Sequence, residues 1–360
     1  MIDLLFPLII SFAIVYIYFG GEDWFSYYND YILKPIYDNM NDITFLLIIK
    51  SIYFFTFNSI VMTIYFFFVV CFYILRYLFI CDDLSPILGG IKKYYIFLSL
   101  TIFTLGPNLV MEQLRQFLSV IFLIPFIIYY LSGNKKKSYI YMILALFTHS
   151  SSILFIAVTF FIAYITTKRK LFYLLLILGF ISYSSIQMLS ILHPYDIPFI
   201  STLSDKYIAY RNMYGRGGIG YIYILNCIFI FLYFCFFDFK KNTKIENGFS
   251  MLFIASSFIY LFSLPFPFVT RFLSTGIVIY IIFLSIRIDR FCDFKINLSN
   301  LYCVFFILMI SISYYYNYNA PFKFITISRN DYQIPLTKQD LNNRLNVIYK
   351  SIINRSKAVE

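Results

Sequence analysis

LRQFLSVIFLIPFIIYYLSGNKKK, residues 114–137, decides what kind of chain this is. From Leu114 to Leu131 the only charge is Arg115, and the run ends on a Ser-Gly-Asn turn followed by Lys135, Lys136 and Lys137. As a helix rising ~1.5 Å per residue it reaches about 27 Å, close to the ~30 Å hydrocarbon core of a bilayer. Apolar blocks of this kind recur along all 360 residues, which are 61% apolar, 22% aromatic and 13% charged, with mean hydropathy +0.77. A soluble domain carries about 25% charged residues, so this chain has too little polar side chain to coat a water-facing surface. A soluble enzyme, a disordered chain and a secreted disulfide scaffold are excluded. The pattern predicts an all-α, polytopic integral membrane protein.

Lys and Arg number 29 against 18 Asp and Glu, a net charge of +11. The excess does not indicate nucleic acid, because it falls in short clusters between apolar spans. These are Lys92-Lys93, Lys135 to Lys137, Lys168-Arg169-Lys170, Lys240-Lys241 with Lys244, and Arg287 with Arg290 and Lys295. Charge placed this way orients a chain in a membrane rather than tracking a phosphate backbone. Cys71, Cys81, Cys227, Cys235, Cys292 and Cys303 form no close pair with metal-ligand spacing and read as apolar fillers. Two histidines, His149 and His193, are too few for a multi-histidine metal site, so no metal or cofactor is expected.

About eleven transmembrane helices are predicted, over 3–19, 58–80, 94–110, 114–131, 139–149, 151–166, 171–192, 219–237, 249–264, 271–286 and 299–317. The further stretch 43–56 lies at the interface or extends the second span. No signal-peptide cleavage pattern follows the first span, which is read as an anchor. Residues 1–317 are read as one transmembrane domain, and 318–360 as a polar tail, helical from about Thr337, whose basic residues favour the inside. Placing every lysine cluster in the cytoplasm makes 94–131 a hairpin turning at Gly106-Pro107-Asn108, and 139–166 a tighter one turning near Thr148 to Ser152. Residues 139–148 would reach only about 15 Å as a helix, so either that second hairpin is tilted and half-spanning or the count of crossings is off by one. The cytoplasmic loops are then short. The longer loops 20–42, 106–116, 193–217 and 264–271 face outward, and 20–42 is acidic, with Glu22, Asp23, Asp30, Asp38 and Asp42 against Lys34. No internal repeat marks a transporter built from two related halves.

Ionisable groups near membrane depth cost several kcal/mol unless paired or wet, which makes each a functional candidate. The outward side collects Glu22, Asp23, Trp24 and Tyr27; then Glu112, Arg115 and Gln116 at a span start; His149 beside three serines; Asp205, Lys206, Arg211 and Arg216; and Arg271 after a Pro-Phe-Pro-Phe-Val-Thr run. Plain readings compete with each. Trp24 and its tyrosines suit an interfacial aromatic belt. Arg115 lies three residues from Glu112, the spacing of a local salt bridge. His149 suits a polar patch in a broken helix. Arg211 and Arg216 suit a solvated loop, and Arg271 a snorkelling cation. Their convergence favours function: arginine forks grip phosphate oxygens bidentately, aromatic and acidic groups suit sugars, and a lone histidine or carboxylate takes a proton from a hydroxyl. That constellation fits sugar transfer from a lipid-linked diphosphate.

Arg115-Gln116 opening a span, the lysine-rich turn 135–137 and a second span ending in His149-Ser150-Ser151 resemble the EpsG-like branch of the Wzy-type O-antigen (exopolysaccharide) polymerases. Asp23-Trp24-Phe25-Ser26-Tyr27-Tyr28 is similar to that family's Asp-Tyr-x-x-Tyr element, with Trp24 in place of its tyrosine, and Arg271 resembles its C-terminal arginine. The resemblance covers about residues 1–317. It implies an oligosaccharide repeat-unit polymerase, a glycosyltransferase of polysaccharide and lipopolysaccharide biosynthesis in the bacterial inner membrane with a periplasmic active site. The growing glycan passes from undecaprenyl diphosphate to the non-reducing end of an incoming lipid-linked repeat unit, by inverting, metal-independent transfer. A chain-length regulator protein is the implied partner. On this reading Arg115, Arg211 and Arg271, with Arg216 a weaker candidate, hold the diphosphate. His149 is the first choice of base and Asp23 or Glu22 the alternative. Trp24, Tyr27, Gln116 and Glu112 contact sugar.

Three other functions remain open on the residues. An O-antigen ligase shares the donor chemistry and differs only in its acceptor. A lipid-linked oligosaccharide flippase or other transporter needs charges through the membrane depth, whereas these cluster on one side. A membrane acyltransferase with His149 as base leaves the scattered arginines unexplained.

Overall fold

The computed structural model describes residues 2–18, 42–105, 114–149, 151–192, 221–237, 242–262 and 267–291. Among these residues there is no strand. The helices are α1 (Ile2–Tyr18), α2 (Ile43–Phe55), α3 (Ile60–Ile80), α4 (Ser85–Leu88), α5 (Gly90–Leu105), α6 (Leu114–Leu131), α7 (Lys135–Thr148), α8 (Ser152–Ile162), α9 (Lys168–Leu192), α10 (Tyr221–Phe236), α11 (Lys244–Phe262) and α12 (Pro267–Phe291). Three described stretches are long and apolar enough to cross a membrane: Met62–Ile80, Leu114–Leu131 and Lys244–Phe262. Ile43–Phe55, Ser152–Ile162, Asn226–Cys235 and Phe272–Arg287 are apolar but shorter. The span expected over 299–317 and the polar tail lie outside the described residues, so the number of crossings rests on the sequence. All-helical architecture with large apolar side chains on the outside, Phe180 at 71% and Phe161 at 60% exposure, is that of a membrane protein.

The apolar stretch 43–56 is a helix of its own. Its end carries a turn in which the Phe57 N–H donates to Phe54 O and the Asn58 N–H to Tyr53 O. This pattern needs a left-handed residue, usually glycine, and here Phe57 supplies it at φ 52°. The Ser132-Gly133-Asn134 turn ends α6 in the same way, with Gly133 at φ 90° and the Asn134 N–H on Tyr129 O at 2.8 Å. Here glycine adopts the left-handed backbone without the Cβ penalty.

The helices group into two units. The first holds α1 to α5, α6 as far as Pro125, α7 from Tyr139 onward and the turn that follows it up to Ser152. In it α3 packs against α1, α2 and α5. Its centre is aromatic: Phe45, Phe67, Phe68, Phe72 and Phe79 are fully buried, and the Tyr94 hydroxyl donates to Phe72 O at 3.2 Å. The second unit holds the end of α6, α8 to α11 and most of α12, with α11 packed against α9 and α10. There Lys168 Nζ donates to Phe234 O at 2.7 Å, closing the carbonyl end of α10 with the first residue of α9. Thr243 and Glu246 cap α11 reciprocally: the Thr243 N–H donates to Glu246 Oε2 at 2.7 Å and the Glu246 N–H to Thr243 Oγ1 at 3.2 Å.

Candidate functional site

Three helix ends of the first unit meet at one carboxylate. Asp42 immediately precedes α2, Arg115 lies in the first turn of α6, and His149 follows the last residue of α7. Arg115 Nη1 donates to Asp42 Oδ2 at 2.5 Å. His149 Nδ1 lies 3.9 Å from Asp42 Oδ1, at ion-pair range but beyond a direct hydrogen bond. The Asp42 and His149 side chains are 10% and 13% exposed and that of Arg115 is 23% exposed. The group is therefore mostly dry, while part of the arginine side chain stays accessible to a ligand.

Local sequence explains why these side chains meet. An aspartate before a helix normally accepts from that helix's own first N–H groups, which is worth about 1 kcal/mol. Asp42 makes no such cap bond, and its carboxylate faces Arg115 and His149 instead. Arg115 stands at the electropositive end of α6, where a cation is disfavoured by about 0.3–1 kcal/mol, and the carboxylate offsets this. Burial pushes the Asp42 carboxyl up, but His149 and the Arg115 guanidinium outweigh burial and hold it below its ordinary 3.8. It is thus ionised at neutral pH.

His149 sits on a turn fixed by hydrogen bonds. Its N–H donates to Ala145 O at 3.1 Å, and its own carbonyl accepts from the Ser152 N–H at 3.0 Å. Ser152 Oγ also donates to Ala145 O at 3.1 Å, seven residues back. A continuous helix puts those residues about 10 Å apart along its axis, so the chain turns here, as the sequence predicted near Thr148 to Ser152. Helices α7 and α8 would reach about 21 and 16 Å, each short of a full crossing. Ser152 Oγ is also hydrogen-bonded to Ser119 Oγ, one turn along α6 from Arg115.

Of the residues expected at the site, Arg115 and His149 are brought together, and Gln116 follows Arg115, buried at 4% exposure. Arg271 lies within the first two turns of α12. Glu22, Asp23, Trp24, Tyr27, Glu112, Arg211 and Arg216 lie outside the described residues. The local Glu112 partner that spacing suggested for Arg115 therefore falls there too, while the partner seen is Asp42. In the sequence Asp42 stands out only as one of five acidic residues of the loop 20–42. Its one signal was its place directly before an apolar run. Among the described residues no group of three His, Cys, Asp or Glu side chains is set to ligate a metal.

The sequence model of the EpsG family matches residues 2–328. No curated protein and no solved structure matches the chain.

Proposed function

The chain belongs to the EpsG family, and on that premise we propose that it is an oligosaccharide repeat-unit polymerase of the Wzy type. It acts at the periplasmic face of the bacterial inner membrane on undecaprenyl-diphosphate-linked glycans. A hydroxyl at the non-reducing end of the incoming repeat unit attacks the anomeric carbon of the growing chain. The bond from that carbon to the diphosphate oxygen breaks, and the lipid diphosphate leaves with the electron pair.

The observation that carries this reading is the junction of Arg115 and His149 through Asp42. Arg115 meets the negative charge that grows on the departing diphosphate, together with Arg211, Arg271 and, more weakly, Arg216. His149 takes the acceptor proton at Nε2. The ionised Asp42 faces Nδ1 at ion-pair range and stabilises the positive charge that forms on the imidazole as it takes the proton. Asp23 or Glu22 is the alternative base. Trp24 and Tyr27 stack on sugar, and Gln116 and Glu112 hydrogen-bond it. A separate chain-length regulator sets the final length.

Arg115→Ala and His149→Ala, at unchanged membrane abundance, should each leave cells with single repeat units and no ladder of longer glycans. A normal ladder in both variants would remove the site assignment.

A further inference from the structure

Beneath the Asp42 junction lies a pair of buried hydroxyls that the proposed chemistry does not use. Ser119 is 2% exposed and Ser152 1%. Ser119 shares a face of α6 with Arg115, one turn away. Ser152 begins α8, three residues after His149, and its backbone N–H donates to the His149 carbonyl. The two hydroxyls hold two protons between them. Ser152 spends its own on Ala145 O, so Ser119 donates to Ser152. The result is a directed path from the arginine-bearing face of α6, through Ser152, to the last turn of α7, on which His149 stands.

Stability does not call for this path. Around it α6 is apolar and buried, at Leu118, Val120 and Ile121, and exchanging both partners of a buried hydrogen bond for apolar groups is often nearly neutral. What the bridge adds is geometry. Helix packing fixes the separation of α6 and α7 loosely, whereas a hydroxyl–hydroxyl bond fixes it to a few tenths of an ångström. A catalytic pair needs its members held within about half an ångström.

We propose that Ser119 and Ser152 are positioning residues that hold His149 in register with Arg115; this rests on the polymerase reading above. The test follows the initial rate of chain lengthening in membrane vesicles from the producing cells, on their own lipid-linked repeat units, normalised to protein abundance. Ser152→Ala and the double variant Ser119→Ala/Ser152→Ala should each lose roughly 10- to 100-fold in saturated rate, while the double variant keeps the native thermal midpoint. Ser152→Thr, which keeps the hydroxyl, should recover most of the rate. In the slower but measurable Asp42→Asn background, Ser152→Ala should cost much less than it does alone, because both changes act through His149.

A full multiplicative loss in that background overturns the positioning role and leaves His149 as base. So does a native rate in Ser152→Ala alongside an inactive His149→Ala. A native rate in His149→Ala overturns the base assignment, and the positioning role with it.

Discussion

Asp42 and Arg115 are paired across 73 residues of sequence, the first from the start of α2 and the second from the first turn of α6. Each is placed against its local interest. Asp42 forgoes the cap of its own helix, and Arg115 brings positive charge to a helix end that repels it. Departures from local preference of this kind are expected at functional or strained sites.

Removing either partner strands the other in a mostly dry place. Asp42→Ala and Arg115→Ala should each lower stability by about 2–3 kcal/mol, between the values for an exposed pair and a fully buried one. The double variant should lose less than the sum of the two, since it leaves no unpaired charge. Thermal unfolding of the three variants in detergent measures this. Strictly additive losses would mean that the two side chains do not support each other.

The pair also sets an acid limit. Asp42 has its folded value below 3.8, so the stability it supplies is complete above the unfolded value. That stability is lost as pH falls through the lower, folded one. The Tm of the native protein should hold down to about pH 4 and drop below it, and Asp42→Asn should flatten that drop. A native Tm that already falls between pH 6 and 5, and does so equally in Asp42→Asn, would assign the acid sensitivity to another group.

Packing in the second unit gives an independent check on the fold. A Cβ on Gly276 of α12 would run into both Oγ and Cβ of Ser256 on α11. Gly276→Ala should therefore cost about 1–3 kcal/mol as an overpacked contact. Because both Ser256 atoms are in the way, Ser256→Gly should restore the loss and Ser256→Ala should not. Thermal midpoints of the two double variants decide it, and equal rescue by both would mean that the helices are further apart.

Orientation is testable by labelling. Lys168 closes the carbonyl end of α10 at Phe234, so the start of α9 and the end of α10 lie at one level, which the proposed topology puts on the cytoplasmic side with the lysine clusters. In a background stripped of native cysteines, cysteines at positions 135 and 168 should react only with reagents that enter the cytoplasm. Cysteines beside Arg115 and Arg211 should react with reagents confined to the periplasm. The reverse pattern would turn the site inward and exclude a periplasmic polymerase.

Much of the fold was legible from the chain, and the reason is physical. Runs such as 58–80 and 114–131 carry so few charges that only a membrane or a buried helix suits them. The Ser-Gly-Asn turn and its lysines mark where α6 must stop. The break at His149 was legible too, since 139–149 is too short to cross alone. The separate helix at 43–55 was less so: it is ended by a left-handed Phe57 where glycine would have announced the turn. The pairing of Asp42 was not legible at all. Spacing reports neighbours within a helix, whereas Asp42 and Arg115 meet only because separate helices bring their ends together.

The most direct measurement takes purified protein in lipid vesicles, with lipid-linked repeat units as the sole substrate and no lipid core acceptor. The native protein should build glycans of many lengths, while Arg115→Ala and His149→Ala should leave the substrate as single units. Asp42→Asn, which removes the charge behind the histidine, should lengthen chains at a rate reduced at least about 100-fold, as removing the carboxylate from such an arrangement does elsewhere. Native lengthening by all three variants, or none by the native protein until a core acceptor is added, would contradict the assignment of polymer formation to this site.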